Sequence, residues 1–356
     1  MSYKILAINP GSTTTKIGVF ENGQERFKTN IEHPAAELEK YHNVAAQYDM
    51  RKDAILSYLR EQNYDVAQLD AIAARGAPIA PLKGGAYRIN QSMVDRLKSS
   101  QMIEHASNLA ALIAYEIGEP LGIPSYIYDA ISTDELTDIA RISGMPAIPR
   151  PSLVHTLNMR AVCHKLADKQ GKKYQDMTII AAHLGGGITI SIHHQGTMID
   201  IVSDDEGPFS PERAGKVPCR ALIDLCYSGT YDHGTMRKML RGRGGLVAYL
   251  GTSNAIEVEK MIEQGDEKAR LVYEAMGYQI AKGIGELATV VNGKVDAIIL
   301  TGGIAYSKML TEWIQKRVAF IAPVEIFPGE NELESLSNGV TRVLSGEETF
   351  HEFSLN

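Results

Sequence analysis

The chain repeats itself. The stretch "ILAINPGSTTTKI", Ile5 to Ile17, returns as "IIAAHLGGGITIS", Ile179 to Ser191. Ile5 falls on Ile179, Ala7 on Ala181, Gly11 on Gly185 and Thr15 on Thr189, at a constant offset of 174 residues. That offset is close to half of a 356-residue chain, and internal duplication is its economical reading. Each copy is an apolar run, a Gly-centred turn and a Thr-containing run, and each continues to a hairpin glycine, Gly23 or Gly196. Two such halves predict a pseudo-symmetric two-lobed α/β molecule whose cleft lies between facing turns and closes by a hinge. The length is also more than one core usually fills.

The rest of the chain supports this plan. Strands are expected at "DAIAAR" ending on Arg75, at "PSYIYDA" with Asp129 at its end, and at "VDAIILTGG". Helices are expected over Ala45 to Gln62, Asn108 to Ile117, around Arg220 to Cys226 and over Ala255 to Ile262. A long one, roughly Lys268 to Val291, is interrupted by Gly277, Gly283 and Gly285. The Gly/Pro-rich crossing "GMPAIPRP" marks the lobe boundary, giving one lobe of 1–148 plus 335–356 and another of 149–334. A net charge of −7 argues against a nucleic-acid surface. Three cysteines without C-x-x-C make no disulfide framework. Neither a signal peptide nor an apolar run of about 20 residues is seen, so a cytoplasmic chain that neither enters a membrane nor binds nucleic acid is expected.

Neither turn is a Walker A loop, because G-x-x-x-x-G-K-[ST] is absent, and neither is a G-x-G-x-x-G turn opening a helix. Small residues in a tight hairpin do let backbone N–H groups and hydroxyls approach an anionic oxygen. A single such turn reads as a plain hairpin. Two at symmetric positions, joined by Thr301-Gly302-Gly303, point to the phosphates of a nucleotide.

"NPGSTTTK", "HLGGGITI" and "LTGGIAYS" resemble the two phosphate motifs and the adenosine motif of the acetate and sugar kinase/Hsp70/actin superfamily. "INPGSTTTK", "ARGAPIAPLKGG", "HASNLAA" and "EGPFSPERAG" together narrow the resemblance to the acetokinase family, on the branch of the butyrate and branched-chain fatty-acid kinases. The resemblance implies a duplicated ribonuclease H-like (actin-like ATPase) fold, two lobes around a nucleotide cleft, with the last helix returning to the first lobe. It implies reversible phosphoryl transfer from Mg-ATP to a short-chain carboxylate, with Mg2+ as cofactor and a homodimer or larger homo-oligomer as the assembly.

Carried over residue by residue, it gives Asn9, Arg75, Asp129, His155 and Arg220 catalytic roles, with Arg213 as the rival for the second arginine. It gives Gly11, Ser12, Thr13, Thr14 and Lys16, then His183, Gly185, Gly186 and Gly187, then Thr301, Gly302, Gly303 and Ile304 to phosphate and nucleotide. Asp129 and Glu332 become the magnesium-linked acids, with Glu330 as the rival of Glu332. Pro78-Ile79 and Thr156 to Met159 depart from the acetate-kinase pattern and favour the butyrate-like branch.

These residue types suit the chemistry. A carboxylate is already a nucleophile, so no base is needed; the obstacle is bringing one anion against another, which alignment and charge neutralisation overcome. Arginine forks bind carboxylate or phosphoryl oxygens bidentately, and Asp and Glu suit a hard cation. A sugar or polyol kinase would need a carboxylate base for a neutral hydroxyl and has little use for paired arginines. A non-catalytic ATP-binding clamp or filament protein is the third reading. Each candidate also has a structural reading: Arg75 in a local ion pair, Asp129 as a cap, His155 as a core histidine. His193 and His194 are expected as solvated hairpin residues on opposite strand faces, not as metal ligands.

Overall fold

A computed structural model describes residues 2–99 and 106–354. His105, the first residue of "HASNLAA", lies outside them. The chain forms two compact units, Met1–Asp134 with Asn331–Asn356, and Glu135–Glu330.

The first unit is built on strands β1 (Lys4–Pro10), β2 (Thr14–Glu21), β3 (Gln24–Glu32), β4 (Ala71–Arg75), β5 (Ala86–Arg88) and β6 (Ser125–Tyr128), with β12 (Phe350–Glu352) added at the edge. The sheet order is β12-β5-β6-β4-β1-β2-β3, with β1, β4 and β6 mutually parallel. The second unit holds β7 (Thr178–Leu184), β8 (Ile188–His194), β9 (Thr197–Val202), β10 (Ala297–Gly302) and β11 (Val324–Pro328), in the order β11-β10-β7-β8-β9. Five strands of the larger sheet and all five of the smaller follow one plan: two antiparallel hairpins, then parallel strands on the other edge of the first strand. β7 occupies the positions of β1 shifted by the repeat offset, so the sequence repeat is a repeat of topology. Asn9 and His183 are equivalent within it.

Continuous apolar runs become strands buried on both faces. In β7, Ile180, Ala182 and Leu184 enter one core and Ile179 and Ala181 the other, as period-two alternation requires. In the first unit Leu6, Ile8, Ile72 and Ala74 pack with the helix Asn108–Gly118. The return helix Glu332–Ser345 comes close enough to β6 that a side chain at Gly339 would strike the Tyr128 ring. Arg342 and Glu348 both bond the Tyr128 hydroxyl and fasten that helix.

Several expectations change. The unit boundary falls before the Gly/Pro crossing, because Leu136 and Ala140 pack with Ile179 and Ile201, while Arg150 binds Asp200 and Glu206. The helix Glu267–Ala288 is continuous: Gly277 and Gly283 do not interrupt it but admit Leu310 and Ile190 at close range. His193 is fully buried on β8 and not solvated; its ring meets the Tyr174 hydroxyl at 2.6 Å and Ser191 Oγ at 2.7 Å. His194 is half-buried and meets Thr178 Oγ1 at 2.7 Å.

Burial, reinforced by the charge of Arg160, pushes the His193 pKa down from 6.5 to about 3. The folded state therefore binds fewer protons than the unfolded chain between those values, and stability falls as pH drops from 6.5 towards 3. Relative to His193→Gln, the wild-type unfolding free energy measured in urea should fall more steeply over this window. The difference should reach up to about 1.4 kcal/mol per pH unit; parallel slopes would contradict it.

Candidate functional site

In the first unit, Asn9 is the penultimate residue of β1, Arg75 closes β4 and Asp129 directly follows β6. Neighbouring parallel strands thus present all three at their carboxyl ends, where open α/β sheets carry their ligands. Asn9 Nδ2 and the Arg75 guanidinium both donate to the carboxylate of Glu332, which begins the return helix. Asp129 is buried with φ 42°, and its Oδ1 accepts from the Gly85 N–H at 2.8 Å. A left-handed aspartate at a strand end is a strained conformation that the surrounding contacts must hold.

A cavity of about 500 Å3 is lined by Asn9, Pro10, Gly11, Ser12, Thr14, Lys16, Val44, Arg75, Ala106 and Glu332. It collects most of the candidates expected from the first turn; Thr13 is exposed at the turn itself. The turn rests on a residue that was not anticipated. Arg51, from the helix Tyr48–Glu61, donates to the carbonyls of Gly11, Ser12 and Thr14 at 2.8, 2.8 and 2.9 Å.

The second unit gathers a different set. His155, just before the helix Thr156–Gln170, stacks on His183 with ring centroids 3.8 Å apart. His155 Nδ1 meets Thr189 Oγ1 at 2.9 Å, and His183 Nδ1 meets Asn158 Oδ1 at 2.9 Å. His183 Nε2 faces Glu330 Oε1 at 2.9 Å. The rivals Glu330 and Glu332 are thereby separated: Glu330 bonds His183, and Glu332 bonds Asn9 and Arg75. Asn158 and Thr189 join this group without having been anticipated, although Thr189 was one of the repeat's matched positions.

The turn Gly185–Gly187 is closed by Gly185 N–H to the Gly187 carbonyl at 3.2 Å, and Ser210 Oγ donates to the Gly186 carbonyl at 2.7 Å. A side chain at Gly187 would overlap the Arg213 guanidinium, which bonds Asp204 at 2.5 Å. Arg213 therefore belongs to this turn. Arg220 is exposed in the first turn of the helix Cys219–Tyr227 and is not brought into the group.

Thr301 is buried and donates to the Gly329 carbonyl at 3.4 Å; Gly303 and Ile304 begin a short 3-10 turn. Gly302 has φ +88°, and a Cβ there would strike the Leu184 backbone. Gly302→Ala should cost on the order of 1–3 kcal/mol in chemical denaturation. A change under a few tenths would mean that the backbone relaxes freely.

No group of three or more potential ligands that could hold a metal ion occurs among the described residues. Asp129 and Glu332 are the carboxylates of the first-unit site that suit a hard divalent cation, which takes most of its oxygens from phosphate and water. No helix among the described residues is long and apolar enough to cross a membrane.

The chain is 47% identical over 350 residues, 98% of each chain, to the protein named butyrate kinase 2 of Clostridium acetobutylicum. The solved structure of Porphyromonas gingivalis acetate kinase superimposes with a TM-score of 0.78 at 19% identity, covering 95% of this chain and 99% of that one. A propionate kinase from Francisella tularensis gives 0.74 at 17%, covering 95% and 98%. These structures share its duplicated ribonuclease H-like, actin-like ATPase fold. The acetokinase family model matches residues 153–348. On the match of that model and on the long identity, this chain belongs to the acetokinase family.

Proposed function

We propose that this protein is a butyrate kinase. It transfers the γ-phosphoryl group of Mg-ATP to butyrate, or to a branched acid such as isobutyrate, giving an acyl phosphate and ADP, and runs in reverse. The observation that carries the reading is the Arg75 guanidinium, which engages the carboxylate of Glu332 beside Asn9 and the first phosphate turn. A guanidinium placed to receive a carboxylate there is what an acyl acceptor needs and a sugar does not.

Arg75 orients the acid, whose oxygen attacks the γ-phosphorus. The new O–P bond forms as the bond to the bridging oxygen of ADP breaks, and no proton need move. Asn9 and the turn of Gly11, Ser12, Thr13, Thr14 and Lys16 hold phosphoryl oxygens, while His155 neutralises charge developing in the transfer and Arg220 is given the same role on its motif position alone. His183 and the turn Gly185–Gly187 receive the nucleotide's phosphates, and Thr301 to Ile304 its nucleoside. Asp129 and Glu332 would hold Mg2+, which supplies neutralisation of phosphate charge. Pro10, Val44 and Ala106 give the cavity an apolar side suited to an alkyl tail. We also place the protein in the cytoplasm and expect a homodimer or larger, supported by exposed Tyr227, Ile256 and Leu271 on the second unit.

Incubation with Mg-ATP, hydroxylamine and acids of graded chain length tests the reading: butyrate- or isobutyrate-dependent hydroxamate should form. A preference for acetate or propionate would move the protein to another acid kinase of the family. Glycerol- or sugar-dependent ADP release without hydroxamate would refute it. Arg75→Ala and Arg220→Ala should each lower kcat by about 100-fold or more, with unchanged circular dichroism. A crippled Arg213→Ala beside a mild Arg220→Ala would reassign the second arginine.

A further inference from the structure

A guanidinium lies sealed beneath the first turn, and among the described residues no acid pairs with it. Arg51 is 1% exposed. Its Nη1 donates to the carbonyls of Gly11 and Thr14 and to Thr15 Oγ1, and its Nη2 to the Ser12 carbonyl and Gln47 Oε1. Among the described residues its Nε has no partner. Every acceptor is neutral, and none of its partners among the described residues is a carboxylate. Arginine does not give up its proton in proteins, so the charge persists although burial disfavours it.

Other inward-facing arginines are treated differently. Arg160 pairs with Glu135, Arg213 with Asp204, Arg150 with Asp200 and Glu206, and Arg342 with Glu348. Arg51 instead turns three carbonyls of one turn towards itself. The exposed residues of that turn, Ser12 and Thr13, keep their amides and hydroxyls for whatever approaches from the other side. A positive charge below and hydrogen-bond donors above describe an anion site whose counter-charge is the ligand.

We propose that Arg51 is a positioning residue for phosphoryl transfer: it fixes the first turn by its carbonyls and supplies, through the turn, the positive charge that a bound phosphoryl group neutralises. The inference rests on reading this turn as the phosphoryl site, and it adds a residue that touches neither substrate. Buried charge is screened little and acts without reorganisation, so its effect falls on the transferring group more than on binding of the acid.

The test compares Arg51→Lys, Arg51→Met and Arg51→Gln in the full chain, each checked by circular dichroism. Two readouts are taken: the rise in Tm caused by inorganic phosphate, and kcat and KM for butyrate-dependent hydroxamate. Lys should keep the phosphate-induced rise and stay within about tenfold of wild-type kcat. Met and Gln should lose the rise and about 100-fold in kcat, with the KM for butyrate little changed. Equal losses in Lys and the neutral variants would reduce Arg51 to a structural prop, and a phosphate response surviving in Met would refute its charge role.

Where Met and Gln fail to fold, Arg51→Gly is read with added guanidinium ion or urea, which match in shape and differ in charge. Recovery of phosphate binding with guanidinium alone supports the proposal; recovery with both, or with neither, overturns it. A wild-type chain that forms no hydroxamate but shows a phosphate response lost in Met would refute the kinase reading and leave the anion site standing. Hydroxamate formation that Met does not alter would do the reverse.

Discussion

A strand buried on both faces must also pair along both edges, because its amides and carbonyls have no water to turn to. β1 and β7 are such strands: each is flanked by an antiparallel partner on one side and a parallel one on the other. The ends are the only places where polar chemistry can leave these sheets, and Asn9 and His183 stand there at equivalent positions. Arg75, Asp129 and Thr301 follow from the same constraint on neighbouring strands.

The two turns solve one problem in two ways. In the first, Pro10 faces Thr15 and the turn encloses Gly11 to Thr14; in the second, Leu184 faces Ile188 and only Gly185 to Gly187 lie between. Both turns are closed by a backbone bond, Gly11 N–H to the Thr14 carbonyl at 2.7 Å and Gly185 N–H to the Gly187 carbonyl at 3.2 Å, and the tighter one is held further by Ser210. The wider one carries side chains, and the Arg51 fork ties its carbonyls. Each turn has an arginine against it. Among the described residues only that of the second turn pairs with an acid, Asp204.

Much of this was legible in the chain because strand periodicity, glycine turns and the repeat are local signals. Arg75, Asn9 and Glu332 could be named from motif position, and the structure brings them into one group. Their mutual bonds could not be read, since they join residues hundreds of positions apart. His193 was misread because a histidine beside a hairpin glycine looks solvated; Tyr174, which bonds it, comes from the turn before β7, outside the hairpin itself. Arg51 did carry a signal. It shares the spacing of Ile55 and Leu59 on one helical stripe, and all three are buried. A charged residue at a core position of an amphipathic helix asks for a partner, and the partner here is the turn that opens the chain.

Net charge therefore says little about a site. The chain is acidic as a whole, yet the first turn is approached by Lys16 and Arg75 from the solvent side and by Arg51 from within. These cations are not equivalent. Lys16 is exposed, so water weakens its field and salt screens it over about 8 Å at physiological ionic strength. Arg75 is already shared with Glu332, and its charge reaches a ligand only to the extent that Glu332 gives it up. Arg51 is buried, and among the described residues it is shared with no acid. Of the three, it is the buried one, whose attraction is present before any ligand arrives and is weakened least by salt, the property a preorganised phosphoryl site requires.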